Sequence, residues 1–102
     1  MSSENETVTD TCELRPVIGL TRGLSAADLE TLTVDAVLTH RQLVANADEL
    51  FQALPDDYKT GIAVGGAQHL VYIEAMIAMH AQMIALNTLL DILGYIPKVP
   101  VN

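Results

Sequence analysis

The sequence predicts an all-α protein: a long antiparallel two-helix hairpin with an extended N-terminal arm and a C-terminal tail, dimerising into a four-helix bundle. Three observations lead there. Apolar residues recur at three- and four-residue steps from Leu29 to Leu54, the signature of one helical face. A second run, Ala67 to Leu93, carries charge only at Glu74 and Asp91 and is apolar on every side. Between them PDDYKTGIAVGG holds one proline and three glycines, which makes a chain reversal rather than a third long element.

Each element can be read in order. Residues 1–13 are polar and acidic without periodicity and read as a disordered tail, leaving 14–102 as a single helical domain. The stretch LRPVIGLTRGL, from Leu14 to Leu24, is too broken by Pro16, Gly19 and Gly23 for a long helix and too apolar to float free. It should pack as an arm or a short helical turn. Ser25 followed by Asp28 resembles a capping box, with Leu24 and Leu29 placed as a hydrophobic staple, so helix one starts just after Ser25. Its stripe includes Leu29, Leu32, Ala36, Leu43, Ala47, Leu50 and Leu54 and stops before Pro55, giving a helix of about 26–54.

Helix two, about 67–93, should end on a left-handed Gly94, with Tyr95 reaching back to Leu90 and Pro97 preventing resumption. In the tail, Ile96, Val99 and Val101 are placed to line the hairpin. One hairpin covers only one stripe of helix two, so a symmetric pair is the economical way to bury the rest. A monomer wrapped by its own arm and tail is the alternative. Leu29, Leu43, Tyr72, Met76, Met79, Met83, Leu86 and Leu90 are the expected core and dimer residues. The methionines could otherwise form a pliable partner surface.

Composition narrows the function. Half of the 102 residues are hydrophobic and 4% are aromatic, so the core is aliphatic. Thirteen acids against five bases give a net charge of −8, which disfavours direct contact with nucleic acid or anionic membranes. Polar interruptions in helix two, among them Glu74, His80 and Gln82, argue against a membrane span, and no basic flank would orient one. The N-terminus lacks the pattern of a signal peptide, and the single Cys12 cannot close an internal disulfide, so a reduced, cytoplasmic protein is expected.

Catalytic signals are missing. His40, His69 and His80 do not fall at ligand spacing with an acid and are expected to be satisfied interfacial side chains. Cys12 sits between Asp10 and Glu13, which oppose thiolate formation, and no nucleotide, zinc-protease or hydrolase motif occurs. The sequence therefore implies a non-enzyme without metal, cofactor or small-molecule ligand. Helix one carries Asp28, Glu30, Asp35, Asp48 and Glu49 against Arg41 alone, and the linker adds Asp56 and Asp57. Acids beside exposed leucines would suit a basic protein partner such as a DNA-binding domain.

Several long runs carry a specific likeness: ELRPVIGLTRGL (13–24), ADLETLTVDA (27–36), ADELFQALP (47–55), YKTG (58–61), YIEAMIAMHAQMIALNTLLDILGYIPKV (72–99) and the terminal VN. In these the chain resembles the TraM family of quorum-sensing antiactivators of conjugative plasmids in agrobacteria and rhizobia. The first dozen residues stand outside the likeness, and Ala67 stands where the family would have a proline at the start of helix two. The resemblance implies a homodimer of long antiparallel helices that needs no cofactor. It also implies binding to the LuxR-type activator TraR, so that TraR no longer binds DNA and the conjugal transfer genes stay silent. The expected contacts are Leu14, Arg15, Pro16 and Leu20 in the arm and Asp48, Glu49, Leu50 and Leu54 near the end of helix one. A structural helical adaptor and an acidic DNA mimic are the rival readings.

Overall fold

The computed structural model describes residues 15–100, so the acidic tail and Leu14 lie outside the described residues, as does Val101. Among the described residues four helices follow in order: α1 (Arg15–Thr21), α2 (Ala26–Ala53), α3 (Asp56–Lys59) and α4 (Ala67–Leu93). The arm takes the form of a short helix from Arg15. Pro16 is tolerated because it sits in the first turn, where its missing N–H has no intrahelical acceptor. The buried Thr21 hydroxyl donates back to the carbonyls of Val17 (2.9 Å) and Ile18 (3.2 Å). Gly23, at φ +87°, then turns the chain into α2.

Both ends of α2 form for local reasons. The Asp28 N–H donates to the Ser25 hydroxyl at 3.1 Å, capping the start. Leu54 is extended (φ −68°, ψ 147°), the conformation a following proline favours. The reversal contains one ordered turn. α3 opens after Pro55 with Asp56 and Asp57 at the positive end of its dipole and Lys59 at the other. Ahead of α4, Gly66 offers no capping side chain, and the His69 Nδ1 accepts the Gly65 N–H at 2.8 Å, which ties the loop back to the first turn. Gly94, at φ +89°, ends α4 by donating its N–H to the Leu90 carbonyl at 2.9 Å.

The two long helices run antiparallel in one register. Near the loop the Gln68 amide donates to the Ala53 carbonyl at 2.9 Å, and at mid-hairpin Gln82 does the same to Ala36 at 2.8 Å. Ala47, Leu54, Ala75, Leu86 and Leu89 are the buried apolar residues. Thr33 and Thr88 are wholly buried, and each hydroxyl is satisfied inside its own helix, on Leu29 O at 2.7 Å and Ile84 O at 2.9 Å. α1 lies against α4. The radius of gyration is 17.0 Å, whereas a compact chain of this length has about 12–13 Å. The thinnest dimension, 18 Å, is less than two helix diameters.

The tail follows α2. Tyr95 hydrogen-bonds Glu30, and Arg41 donates to the Pro100 carbonyl at 2.6 Å. Five extended steps of about 3.1–3.3 Å cover the same ~16 Å as eleven helical steps of 1.5 Å. The tail is therefore a strap parallel to α2. It seats Pro97, which is buried, and half-buries Val99, whereas Ile96 is 86% exposed and does not line the hairpin.

Candidate protein-contact surface

A helix buries what its neighbours cover, and α4 has α2 on one side along most of its length. Ala75, Gln82, Leu86 and Leu89 fall on that side, separated by multiples of the helical repeat. Leu70, Ile77 and Ile84 come at seven-residue intervals and point the opposite way, with exposures of 55%, 63% and 38%. Glu74 is the one charged side chain among them. An aliphatic row exposed on the back of a helix marks a candidate contact surface.

A second feature lies between the helices. Val44, Asp48 and Phe51 of α2 and Tyr72, Met76 and Met79 of α4 enclose an open cleft of about 290 Å³. Ala47, buried at its base, has too small a side chain to fill it. The Phe51 and Tyr72 rings meet at 5.6 Å with a 49° tilt, and the Lys59 ammonium stands 6.0 Å from the Phe51 ring centre. His69 stacks near Tyr72 (6.4 Å) and meets the Tyr58 ring edge-on (5.3 Å), tying the loop to the cleft.

The residues expected at a partner contact separate into two groups. Arg15, Pro16 and Leu20 are exposed, Leu20 by 82%. Asp48 and Glu49 are exposed and Leu50 is half-buried. The groups stand at opposite ends of the hairpin, since Asp48 lies about 33 Å of helix beyond Ala26. Leu54 requires a correction: at 4% exposure it is a core residue, held where α2 turns into the loop, and not a free anchor. Of the expected core and dimer set Leu86 is buried, and Leu29, Leu43, Tyr72, Met76, Met79, Met83 and Leu90 are half-buried. The structure joins Tyr72, Met76 and Met79 to Asp48 in the cleft.

The histidines do not converge. His69 holds the loop, His80 is exposed, and the Nδ1 of His40 is buried without a partner, contrary to the expectation of satisfied histidines. The Oε1 of Gln82 is likewise unpartnered, and Gln82 binds the carbonyl one turn before His40. No group of three or more metal-ligating side chains occurs among the described residues. The Tyr95 hydroxyl is pushed above its ordinary value, first by desolvation and then by the Glu30 carboxylate that accepts its hydrogen bond. Among the described residues α4 alone is long and apolar enough to cross a membrane, with a mean hydropathy of 1.4. Its antiparallel contact with α2 and the Gln82 bond into α2 tie it to the hairpin.

The described residues define a class of all-helical hairpins with exposed aliphatic rows and acidic flanks. Comparison with known proteins narrows the class. A family model described as prokaryotic transcriptional repressor TraM matches residues 1–98. The chain is 68% identical to a transcriptional repressor TraM of Rhizobium radiobacter and 65% identical to one of Agrobacterium fabrum strain C58, each over 102 residues and the full length of both chains. It is also similar to the crystal structure of a second quorum-sensing antiactivator, TraM2, from A. tumefaciens strain A6. That match has a TM-score of 0.85 and 70% identity and covers 86% of this chain and 99% of the other. The chain belongs to the TraM family of transcriptional repressors. The family match begins at residue 1, so the first dozen residues, outside the likeness read from the sequence, fall within it.

Proposed function

We infer that this protein is an antiactivator that binds a LuxR-type activator of the TraR kind in the cytoplasm. Binding keeps the activator off its promoter DNA, and conjugal transfer genes stay unexpressed until signal-loaded activator exceeds the inhibitor. The observation that carries this reading is the pairing of exposed aliphatic surface with acidic flanks on one rigid hairpin. Such a surface recognises a basic protein and repels DNA itself. The working form is a homodimer in which the Leu70, Ile77 and Ile84 rows of two chains cover one another in a four-helix bundle. Arg15, Pro16 and Leu20 at one end, and Asp48, Glu49 and Leu50 at the other, are the proposed activator contacts. A helical adaptor or an acidic DNA mimic is less well supported, because a mimic would present carboxylates without the aliphatic rows between them.

The test is a gel-shift titration of a TraR-type activator on its promoter DNA. Loss of the shifted band near stoichiometric inhibitor, with no band from the inhibitor and DNA alone, is the expected result. An activator band that persists at excess inhibitor sinks the reading.

A further inference from the structure

The cleft between α2 and α4 is unused by the hairpin's own packing, and its chemistry specifies what would fill it. Its walls run from Val44 to Phe51, about 10 Å along the helix axis, which is room for side chains one to two turns apart on an approaching helix. At about 290 Å³ and open along its length, it is at the lower edge of small-molecule sites and suits one or two protruding side chains. Met76 and Met79 give it adaptable apolar walls. Asp48 sets one carboxylate on its lip, and the Phe51 ring already takes a cation from Lys59 at 6.0 Å.

The surrounding charge selects the same occupant. Glu49, Asp56 and Asp57 are all exposed close to that end of α2. Against these carboxylates and Asp48 stand two bases, Lys59 over the Phe51 ring and Arg41 about 10 Å of helix from Asp48, which leaves the surroundings of the cleft net acidic. A basic helix is therefore drawn toward the cleft, whereas an acidic or neutral one has no such steering.

We propose that this cleft is the docking site for a basic amphipathic helix of the activator, which seats an aliphatic side chain between Met76 and Met79 and sets an arginine or lysine against Asp48 and the Phe51–Tyr72 pair. The proposal rests on the antiactivator reading and adds to it the site and the chemistry of the bound element. It is a helix-in-groove mode, in which side chains three, four or seven residues apart act as anchors.

Two variants test it in the full-length chain. Asp48→Lys reverses the lip charge at an exposed position, and Met79→Trp fills the cleft with apolar volume. Each is compared with the unaltered protein in the activator gel shift, with sedimentation velocity and circular dichroism as controls for dimerisation and folding. The expected result is at least a tenfold rise in the amount of inhibitor needed to release the DNA, with the helix signal and oligomeric state of the Asp48→Lys protein unchanged. If the unaltered protein fails to release the activator, the antiactivator reading itself is lost. If the unaltered protein and both variants release it equally well, the cleft proposal is overturned while the reading stands. A loss of dimer in the folded Asp48→Lys protein would assign the cleft to a second copy of the chain and overturn the proposal too.

Discussion

Ile77 gives the sharpest test of the homodimer. It is 63% exposed at the centre of the α4 row, yet sits on a rigid helix between Leu70 and Ile84. Fully burying an isoleucine side chain is worth about 1.5–3 kcal/mol, so covering the exposed fraction contributes about 1–2 kcal/mol per chain. A two-fold interface uses the residue twice, giving about 2–4 kcal/mol. Ile77→Ala should therefore weaken the dimer roughly 30- to 700-fold, because each 1.4 kcal/mol is a factor of ten. Ile77→Glu should do worse, by placing two carboxylates in one seam. Sedimentation velocity across a dilution series measures the dissociation constant. Ile62→Ala serves as a control, since that residue is 77% exposed on the loop and outside the row. A dimer constant unchanged by Ile77→Ala, or an unaltered chain that is monomeric at every concentration, would refute the placement of this row in the interface.

Leu54→Ala should lower stability by about 2–5 kcal/mol, read as a fall in urea midpoint, because the side chain is 4% exposed; a midpoint equal to that of the unaltered protein would return Leu54 to the surface. Gly66→Ala forces an alanine to φ +94° and sets its Cβ 3.6 Å from the Tyr58 hydroxyl, at a cost of about 1–2 kcal/mol by thermal melt. His69→Ala leaves the Gly65 N–H without its acceptor and should speed amide exchange across the loop, with Gly66→Ala as the reference for a loop loosened by strain instead. The Tyr95–Glu30 bond sets a sign in pH. The phenol titrates above its ordinary value near 10, so its contribution is complete below that value and is lost as pH rises through the raised one. The difference in phenolate absorbance between the unaltered protein and Tyr95→Phe should show that late titration, and a midpoint at or below the ordinary value would contradict the bond.

Local chemistry is legible in this chain and pairing is not. Ser25, Pro55 and Gly94 mark helix ends through bonds made within a few residues, and the helix bounds read from them agree with the structure to within one residue. Pro55, two acids and Lys59 signal α3, a signal that the three glycines soon after it obscure. Pro16 and Gly19 break the arm too much for a long helix, and of the two forms open to it, an arm or a short helical turn, the structure takes the helical one. A proline in a first turn costs little, and α4 supplies packing for the rest. Leu54, Ile96 and the cleft depend on which turn of α2 faces which turn of α4, information spread over residues thirty and more apart. Periodicity identifies Leu50 and Leu54 as one stripe, and only the partner helix decides that Leu54 is covered and Leu50 half-covered.

The hairpin is held together chiefly through alanines, threonines and a few leucines in a layer only 18 Å thick. Such a layer has little interior of its own, so in the dimer reading its persistence depends on how many copies are present. As the inhibitor is diluted, for instance by cell growth, the surviving chains pair less often, unfold more often and become better substrates for proteases. Inhibitor abundance would then fall faster than its synthesis does, and the regulated genes would change from silent to active over a narrower range of inhibitor production than one-to-one titration alone would give.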